Sequence, residues 1–223
     1  MLKAVLLSTA ALALLATAAD ARPALSFSQD NRFVSVMPGG KDHRVPNFAP
    51  KISYVYSTIA KNKEGAYFCC YGSTISGPSS TFGHAYGIAE QFTLSAGATV
   101  SHLAAGVGYF SGNTGDHKVV LTLYADNGNN QPGTKLAQGT GTTKTVFGFC
   151  CGVTQASISS TTLKANTPYW VAITSTGINE EAAGFQVSDE VDNPVYTSST
   201  SDGGNTWGTG YQNTEYNPAI GVY

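Results

Sequence analysis

The chain has 223 residues, of which 12% are charged, and its formal net charge is −2. A net charge this close to zero excludes bulk electrostatic attraction to nucleic acid or to an acidic membrane surface. The abundance of glycine, threonine, serine and tyrosine favours one large β domain with many tight turns.

The first segment, residues 1–21, predicts an export signal. Lys3 gives the positive start, residues 4–18 are uncharged and apolar, and a small-x-small cleavage pattern ends at Ala21. The apolar stretch is shorter than the roughly 20 residues that a membrane-spanning helix needs. We therefore expect cleavage near Ala21 and a mature protein that is periplasmic or extracellular and has no membrane span.

Residues 22–50 predict an irregular N-terminal arm, and only residues 32–36 within it have the pattern of a strand. A sandwich domain is predicted at 51–223. Residues 22–63 contain seven basic and two acidic side chains, whereas the chain after Lys164 contains seven acidic side chains and no Lys or Arg. This sorting predicts that the arm docks on the acidic part, within one molecule or between two, so weak self-association is a further expectation.

From residue 52 onward the hydrophobic pattern has a period of two, which indicates strands. Within 117–125, for example, Val119, Leu121 and Leu123 fall on one face. Pro132-Gly133 predicts a type II turn with glycine at positive φ. Many short strands separated by turns favour an all-β fold, a two-layer antiparallel β-sandwich of the jelly-roll type. The predicted strands are residues 52–60, 85–94, 100–110, 117–125, 134–139, 143–149, 153–159, 169–175, 184–188, 194–198 and 217–222.

Cysteine occurs only as two doublets, Cys69-Cys70 and Cys150-Cys151. In an exported protein these thiols meet an oxidising compartment, so we expect disulfides. Bonds within each doublet hold two Cα atoms about 3.8 Å apart, below the usual range of roughly 4.4–6.8 Å. Bonds between the doublets are awkward because neighbouring strand residues point to opposite faces. Both pairings stay open. Free thiols or a zinc site fit less well, because zinc ligands usually stand two to four residues apart.

Several longer segments occur in a fixed order: VVLTLYADNGNNQPGTKLAQGT, FCCGVTQASI, LKANTPYWVAI and a late GGNTW. Together with the early CCYGSTISGP, this succession resembles the choice-of-anchor family of exported bacterial β-sandwich proteins. The resemblance covers roughly residues 55–223 and implies export and the sandwich fold, but no known activity. The family is named after varied cell-surface sorting tails, and NPAIGVY at the end of this sequence is not one of them.

Four aromatic residues are candidate ligand-binding residues. Tyr67, Tyr71 and Phe149 lie beside the cysteine doublets, and Trp207 lies in a polar, glycine-rich segment. Oxidised doublets with aromatic neighbours would offer flat apolar surfaces of the kind on which sugar rings stack. The alternative is that these side chains fill the core, as we expect for Trp170 in PYWVAI.

No catalytic residue is assigned. The four histidines are scattered and G-x-S-x-G is absent. Glu90 and Glu215 keep a carbohydrate-active hydrolase open as one alternative, since such enzymes use two facing carboxylates. The turn after Asp126 offers oxygen atoms but lacks the ligand spacing of an EF-hand calcium loop.

We therefore expect no cofactor and no metal. The leading expectation is a secreted, non-catalytic binding or adhesion module, with glycan as the foremost ligand. The second alternative is a structural extracellular component that assembles through its basic arm and acidic C-terminal part.

Overall fold

A computed structural model describes residues 25–29, 32–36, 52–59, 68–112, 115–148, 152–178, 181–188, 195–213 and 216–223. The predicted export signal and most of the basic arm lie outside these ranges. Within them every regular element is a strand, and none of these residues forms a helix that could cross a membrane.

The described residues form fifteen strands, numbered in chain order. They are β1 (Leu25–Phe27), β2 (Phe33–Val36), β3 (Tyr56–Ser57), β4 (Phe68–Ser76), β5 (Gly87–Thr93), β6 (Ala98–Tyr109), β7 (Lys118–Asp126), β8 (Pro132–Thr142), β9 (Val153–Leu163), β10 (Pro168–Ser175), β11 (Glu181–Ser188), β12 (Val195–Thr200), β13 (Tyr211–Asn213), β14 (Tyr216–Pro218) and β15 (Ile220–Val222).

Two antiparallel sheets face each other, which confirms the predicted all-β, two-layer sandwich. The first sheet has the order β1-β2-β4-β11-β6-β15-β3, with β9 also paired to β6 and β14 to β11. The second sheet has the order β13-β12-β5-β10-β7-β8. From β4 to β7, and again from β8 to β12, each successive strand lies in the opposite sheet. Most paired strands therefore come from distant parts of the chain.

The core lies between the sheets and follows the alternation in the sequence. Val119, Leu121 and Leu123 of β7 are fully buried and confirm the predicted inward face. Leu103 and Val107 of β6 belong to the same apolar cluster from the other sheet. Each such side chain contributes about 1.5–3 kcal/mol to stability through burial.

The two layers come into direct backbone contact where β8 lies over β9. A Cβ atom at Gly141 would lie 2.7 Å from the carbonyl oxygen of Gln155, and one at Gly139 would collide with the carbonyl oxygen of Ser157. Facing sheets usually stand about 10 Å apart because side chains separate them. Glycine at alternate positions of β8 removes that separation.

Two strands of the predicted arm join the first sheet. β1 and β2 form an antiparallel hairpin, and β2 pairs with β4 through Phe33 and Ser73. The strand predicted at 32–36 is confirmed. β1, β4 and β13 have no counterpart among the predicted strands, because FCCYGSTIS shows no alternating apolar pattern and LSF and YQN are too short for their patterns to indicate a strand.

Two predicted strands are largely absent, and the strand predicted at 217–222 is divided into β14 and β15. Of residues 52–60 only Tyr56–Ser57 is a strand. Within 143–149 a single bridge joins Val146 to Tyr109, because the chain turns at Gly148, where φ is +91°.

The predicted type II turn at Pro132-Gly133 is also wrong. Pro132 begins β8, and the reversal comes earlier, where Gly128 and Asn130 have φ values of +86° and +55°. Asparagine tolerates this left-handed region better than most residues, so the DNGNN segment makes the turn without Gly133.

Candidate functional site on the outer face of the second sheet

Around β10, the outer face of the second sheet is buried although it points away from the core. In β10, Val171 and Ile173 face the core, whereas Trp170 and Ala172 pack with Ala89 on the opposite face. Trp170 has an exposed fraction of 0%. A strand that is buried on both faces requires a second covering layer.

That layer is residues 201–210, the connection from β12 to β13, which we call the strap. Its backbone is fixed to the sheet at two points. Gly203 donates to the carbonyl oxygen of Ala85 at 2.8 Å, and Gly208 donates to that of Ser199 at 2.9 Å. Gly203 has a φ of +75°, which glycine adopts without steric cost. The strap therefore folds back onto the sheet.

Asp202 organises the start of the strap. Its Oδ1 accepts hydrogen bonds from the Thr200 hydroxyl at 2.7 Å and the Thr206 backbone N–H at 3.0 Å, and its Oδ2 accepts from the Thr206 hydroxyl at 2.6 Å. Burial raises the pKa of Asp202, but the hydrogen bonds from Thr206, Thr200 and the Asn205 backbone together lower this pKa to about 2. The carboxylate is therefore ionised at neutral pH.

Asp126, the last residue of β7, connects the turn that follows it to the sheet beneath the strap. Its Oδ2 accepts hydrogen bonds from Trp170 Nε1 at 2.8 Å and Gln91 Nε2 at 3.0 Å. Its Oδ1 accepts from the backbone N–H of Gly128 at 2.7 Å. Both oxygens face N–H donors, which is the wrong complement for calcium. Over the described ranges no cluster of three or more metal-ligating residues occurs.

The same turn also contacts the far end of the strap. Gln131 Nε2 donates to the carbonyl oxygen of Trp207 at 3.4 Å. Gly210 lies so close to the carbonyl oxygen of Asn130 that a Cβ atom there would collide with it. The turn and the strap thus hold each other in place.

A row of side chains crosses the sheet at this position. Gln91 and Tyr124 flank Trp170 in register on the neighbouring strands, and Lys135 pairs with Tyr124 on β8. Tyr196 of β12 packs against the same cluster. The row therefore presents aromatic and amide groups side by side.

Trp207 lies over this row. Its ring is 6.0 Å from that of Tyr124 at an interplanar angle of 74°, and both residues are half-buried. Burial raises the pKa of Tyr124, partly offset by the Trp207 N–H and the Thr122 hydroxyl. Trp207 Nε1 is shielded from solvent, and no described residue accepts a hydrogen bond from it with standard geometry.

The other predicted ligand-binding residues lie elsewhere. Tyr71 is in β4 of the first sheet, close to Tyr211 and Arg32. Burial and the neighbouring Tyr71 raise the pKa of Tyr211, and Arg32 opposes this rise. Tyr67 and Phe149 lie outside the described residues. Of the four candidates, only Trp207 is among the described residues that pack around Trp170 on the outer face.

The first cysteine doublet lies in an irregular part of β4. Phe185 of β11 pairs with Gly72, and the next residue, Gln186, pairs with Phe68. Cys69, Cys70 and Tyr71 of β4 therefore have no paired residue on β11. Cys150 and Cys151 lie outside the described residues, so both disulfide pairings remain predictions.

Glu90, the carboxylate considered for hydrolysis, is enclosed in the core with an exposed fraction of 0%. The Tyr56 hydroxyl donates to its Oε1 at 3.2 Å. Burial, followed by the charge and the hydrogen bond of Glu90, strongly raises the pKa of Tyr56. Glu90 is thus out of reach of a ligand in this conformation, and Glu215 lies outside the described residues.

Sequence reasoning misses Tyr124, Tyr196 and Gln91 as members of this cluster. A signal for it exists in the unbroken apolar run of PYWVAI, because a half-buried strand would alternate with polar residues. That run predicts that some element covers the outer face, but it does not indicate which segment of the chain forms it.

Comparison with protein-family models and with curated proteins found no match for this chain. The resemblance to the choice-of-anchor family stays a prediction.

Proposed function

We propose that the protein is an exported, non-catalytic binding module that holds glycan on the outer face of its second sheet. The observation that supports this most is the position of Trp207, half-buried over Trp170 and edge-on to Tyr124. Ligand sites combine aromatic surface with a few placed polar groups. A partly exposed aromatic ring is a surface on which a sugar ring stacks.

Amide side chains around the rings supply the polar part of the proposed site. Gln91, Asn130 and Gln131 are each half-buried next to the aromatic cluster. An amide both donates and accepts hydrogen bonds, which matches the hydroxyl groups of a sugar. Gln91 is already oriented by its bonds to Asp126 and Asn130, so little side-chain entropy is lost on binding.

Binding is tested on a glycan array with the wild-type protein and Trp207→Ala. The wild type should bind at least one polysaccharide, and Trp207→Ala should bind it at least about tenfold more weakly, because one stacking surface is lost. Tyr109→Ala is the matched control, since Tyr109 is a half-buried aromatic residue of the first sheet. Absence of wild-type binding, or equal binding by Trp207→Ala, would contradict the proposal.

Export and oxidised cysteines are part of the same proposal. The three-residue interruption of the β4–β11 ladder supports a bond within the first doublet, because a bulged segment departs from the regular alternation of a strand. Non-reduced peptide mass spectrometry should show Cys69 bonded to Cys70. Peptides that join residues 69 or 70 to residues 150 or 151, or thiols that alkylate freely, would refute this pairing.

A further inference from the structure

Building on the glycan-binding function proposed for the strap face, we infer that the ligand is an uncharged glycan and not an anionic one. Charge and hydrogen-bonding chemistry around Trp207 lead to this assignment. The residues that surround Trp207 belong to the strap, to the turn that follows Asp126 and to the row beneath them.

Negative charge dominates the surroundings of Trp207. The strap contributes Asp202 and the turn contributes Asp126, and neither segment contains Lys or Arg. The strands β5, β10 and β12 beneath them also lack basic residues. Carboxylate or sulfate groups on a sugar would therefore meet charges of the same sign, which repel them.

One cation lies at the margin of the row. Lys135 pairs with Tyr124 across β7 and β8, and its Nζ donates to Gln138 Oε1 at 2.8 Å. It is an exposed side chain on the last strand of the sheet, so salt screens it readily. A single exposed ammonium does not outweigh two carboxylates held beneath and within the strap.

Uncharged groups supply the hydrogen-bonding capacity of the face. Gln91, Asn130 and Gln131 offer amides, each half-buried beside the aromatic cluster. An amide both donates and accepts hydrogen bonds without carrying a charge. Sugar hydroxyl groups, which also donate and accept, match this chemistry.

The test uses polymer pairs that share a backbone and differ in charge: hydroxyethyl and carboxymethyl cellulose, dextran and dextran sulfate, and methyl-esterified pectin and polygalacturonate. Retardation in native gels is measured at about 10 mM and about 300 mM salt, on either side of effective screening. At least one neutral member should retard the protein equally at both salt concentrations. Its anionic counterpart should bind at least about tenfold more weakly.

Two variants sharpen the result. Thr209→Lys adds a cation on an exposed strap position and should create salt-sensitive binding to the anionic polymers. Thr162→Lys on β9 is the matched control, since Thr162 is also exposed but lies on the other sheet, and it should not create such binding.

The outcomes separate the two proposals. Stronger, salt-sensitive binding of the anionic members would overturn the inference and leave the glycan-binding function standing. Thr209→Lys failing to attract anionic polymers would also overturn it, since charge near Trp207 would then not govern selection. Binding to no polymer here, and to none on the glycan array, would remove the proposed function itself.

Discussion

β9 and β10 are successive strands of opposite sheets, and they differ in how many of their faces are covered. In β9, Ala156 and Ile158 are buried, whereas Gln155 and Ser157 are exposed. In β10 every residue from Tyr169 to Thr174 is buried. β9 therefore borders solvent on one side, and β10 borders solvent on neither.

This sandwich has an extra covering layer over β10, whose outer face is buried as well as its inner face. A strand with alternating burial needs only the opposite sheet to cover its apolar face. The sequence VTQASIS of β9 has this alternation of apolar and polar residues. A strand with an unbroken buried run needs a cover on its outer face as well. Here the cover is the strap, and the strap contains Trp207. The missing alternation of β10 thus coincides with the proposed site.

The largest expected effect comes from Trp170→Ala in β10. Loss of a fully buried aromatic side chain should lower the free energy of unfolding by about 3–5 kcal/mol. Ser157→Ala in β9 should change it by no more than about 0.5 kcal/mol. Urea unfolding of both variants measures the difference. Similar small losses in the two variants would mean that the strap does not make the outer face a second interior.

The second effect concerns the core side of the second sheet. Tyr56→Phe removes the hydroxyl that donates to the buried Glu90, and should lower the free energy of unfolding by about 1–3 kcal/mol. Tyr109→Phe, a half-buried tyrosine of the first sheet, is the control and should lower it much less. Chemical denaturation at neutral pH compares the two variants.

The pH dependence of stability follows from the same group. Burial and Glu90 raise the pKa of Tyr56 far above its ordinary value, and burial raises the pKa of Tyr54 to about 12. The folded state therefore keeps protons that the unfolded state loses above about pH 10. Stability should be complete below pH 10 and fall as the pH rises further. Tyr56→Phe should make that decline shallower; an unchanged slope would contradict this account.

The smallest effect is expected in the strap. Because the pKa of Asp202 is lowered to about 2 from 3.8, its contribution is present above about pH 4 and is lost as the pH falls through about 2. Asp202 is partly exposed and solvent screens its interactions, so Asp202→Ala should cost about 1 kcal/mol or less. Tryptophan fluorescence between pH 5 and 1.5 should show an acid transition in the wild type.

The acid transition has its own control. Asp202→Ala should remove it, whereas Asp116→Ala should keep it, since Asp116 belongs to an exposed pair with Lys118 at 3.7 Å. A wild-type transition that survives in Asp202→Ala would mean that another carboxylate holds the strap.

Local patterns predict much of this fold. The strands β5, β6, β7 and β10 lie within a few residues of their predicted bounds, since alternation and apolar runs are properties of neighbouring residues. The sequence distinguishes the surroundings of Trp207 and Trp170 for the same reason, because Trp207 lies among glycines and Trp170 lies in an apolar run.

Long-range contacts explain what the sequence does not predict. The strap is located by the bond between Gln131 and Trp207, which are 76 residues apart. β4 is a strand because β2 and β11 pair with it, and nothing in FCCYGSTIS specifies those partners. Single-residue patterns contain no information on such pairings.

The glycine contact between β8 and β9 brings two backbones together at one side of the sandwich. β5 of the same sheet instead places the large side chains of Phe92 and Glu90 between the layers. The glycine pair and the buried carboxylate thus lie at different places in one sheet, and the carboxylate lies where Tyr56 of the opposite layer reaches it.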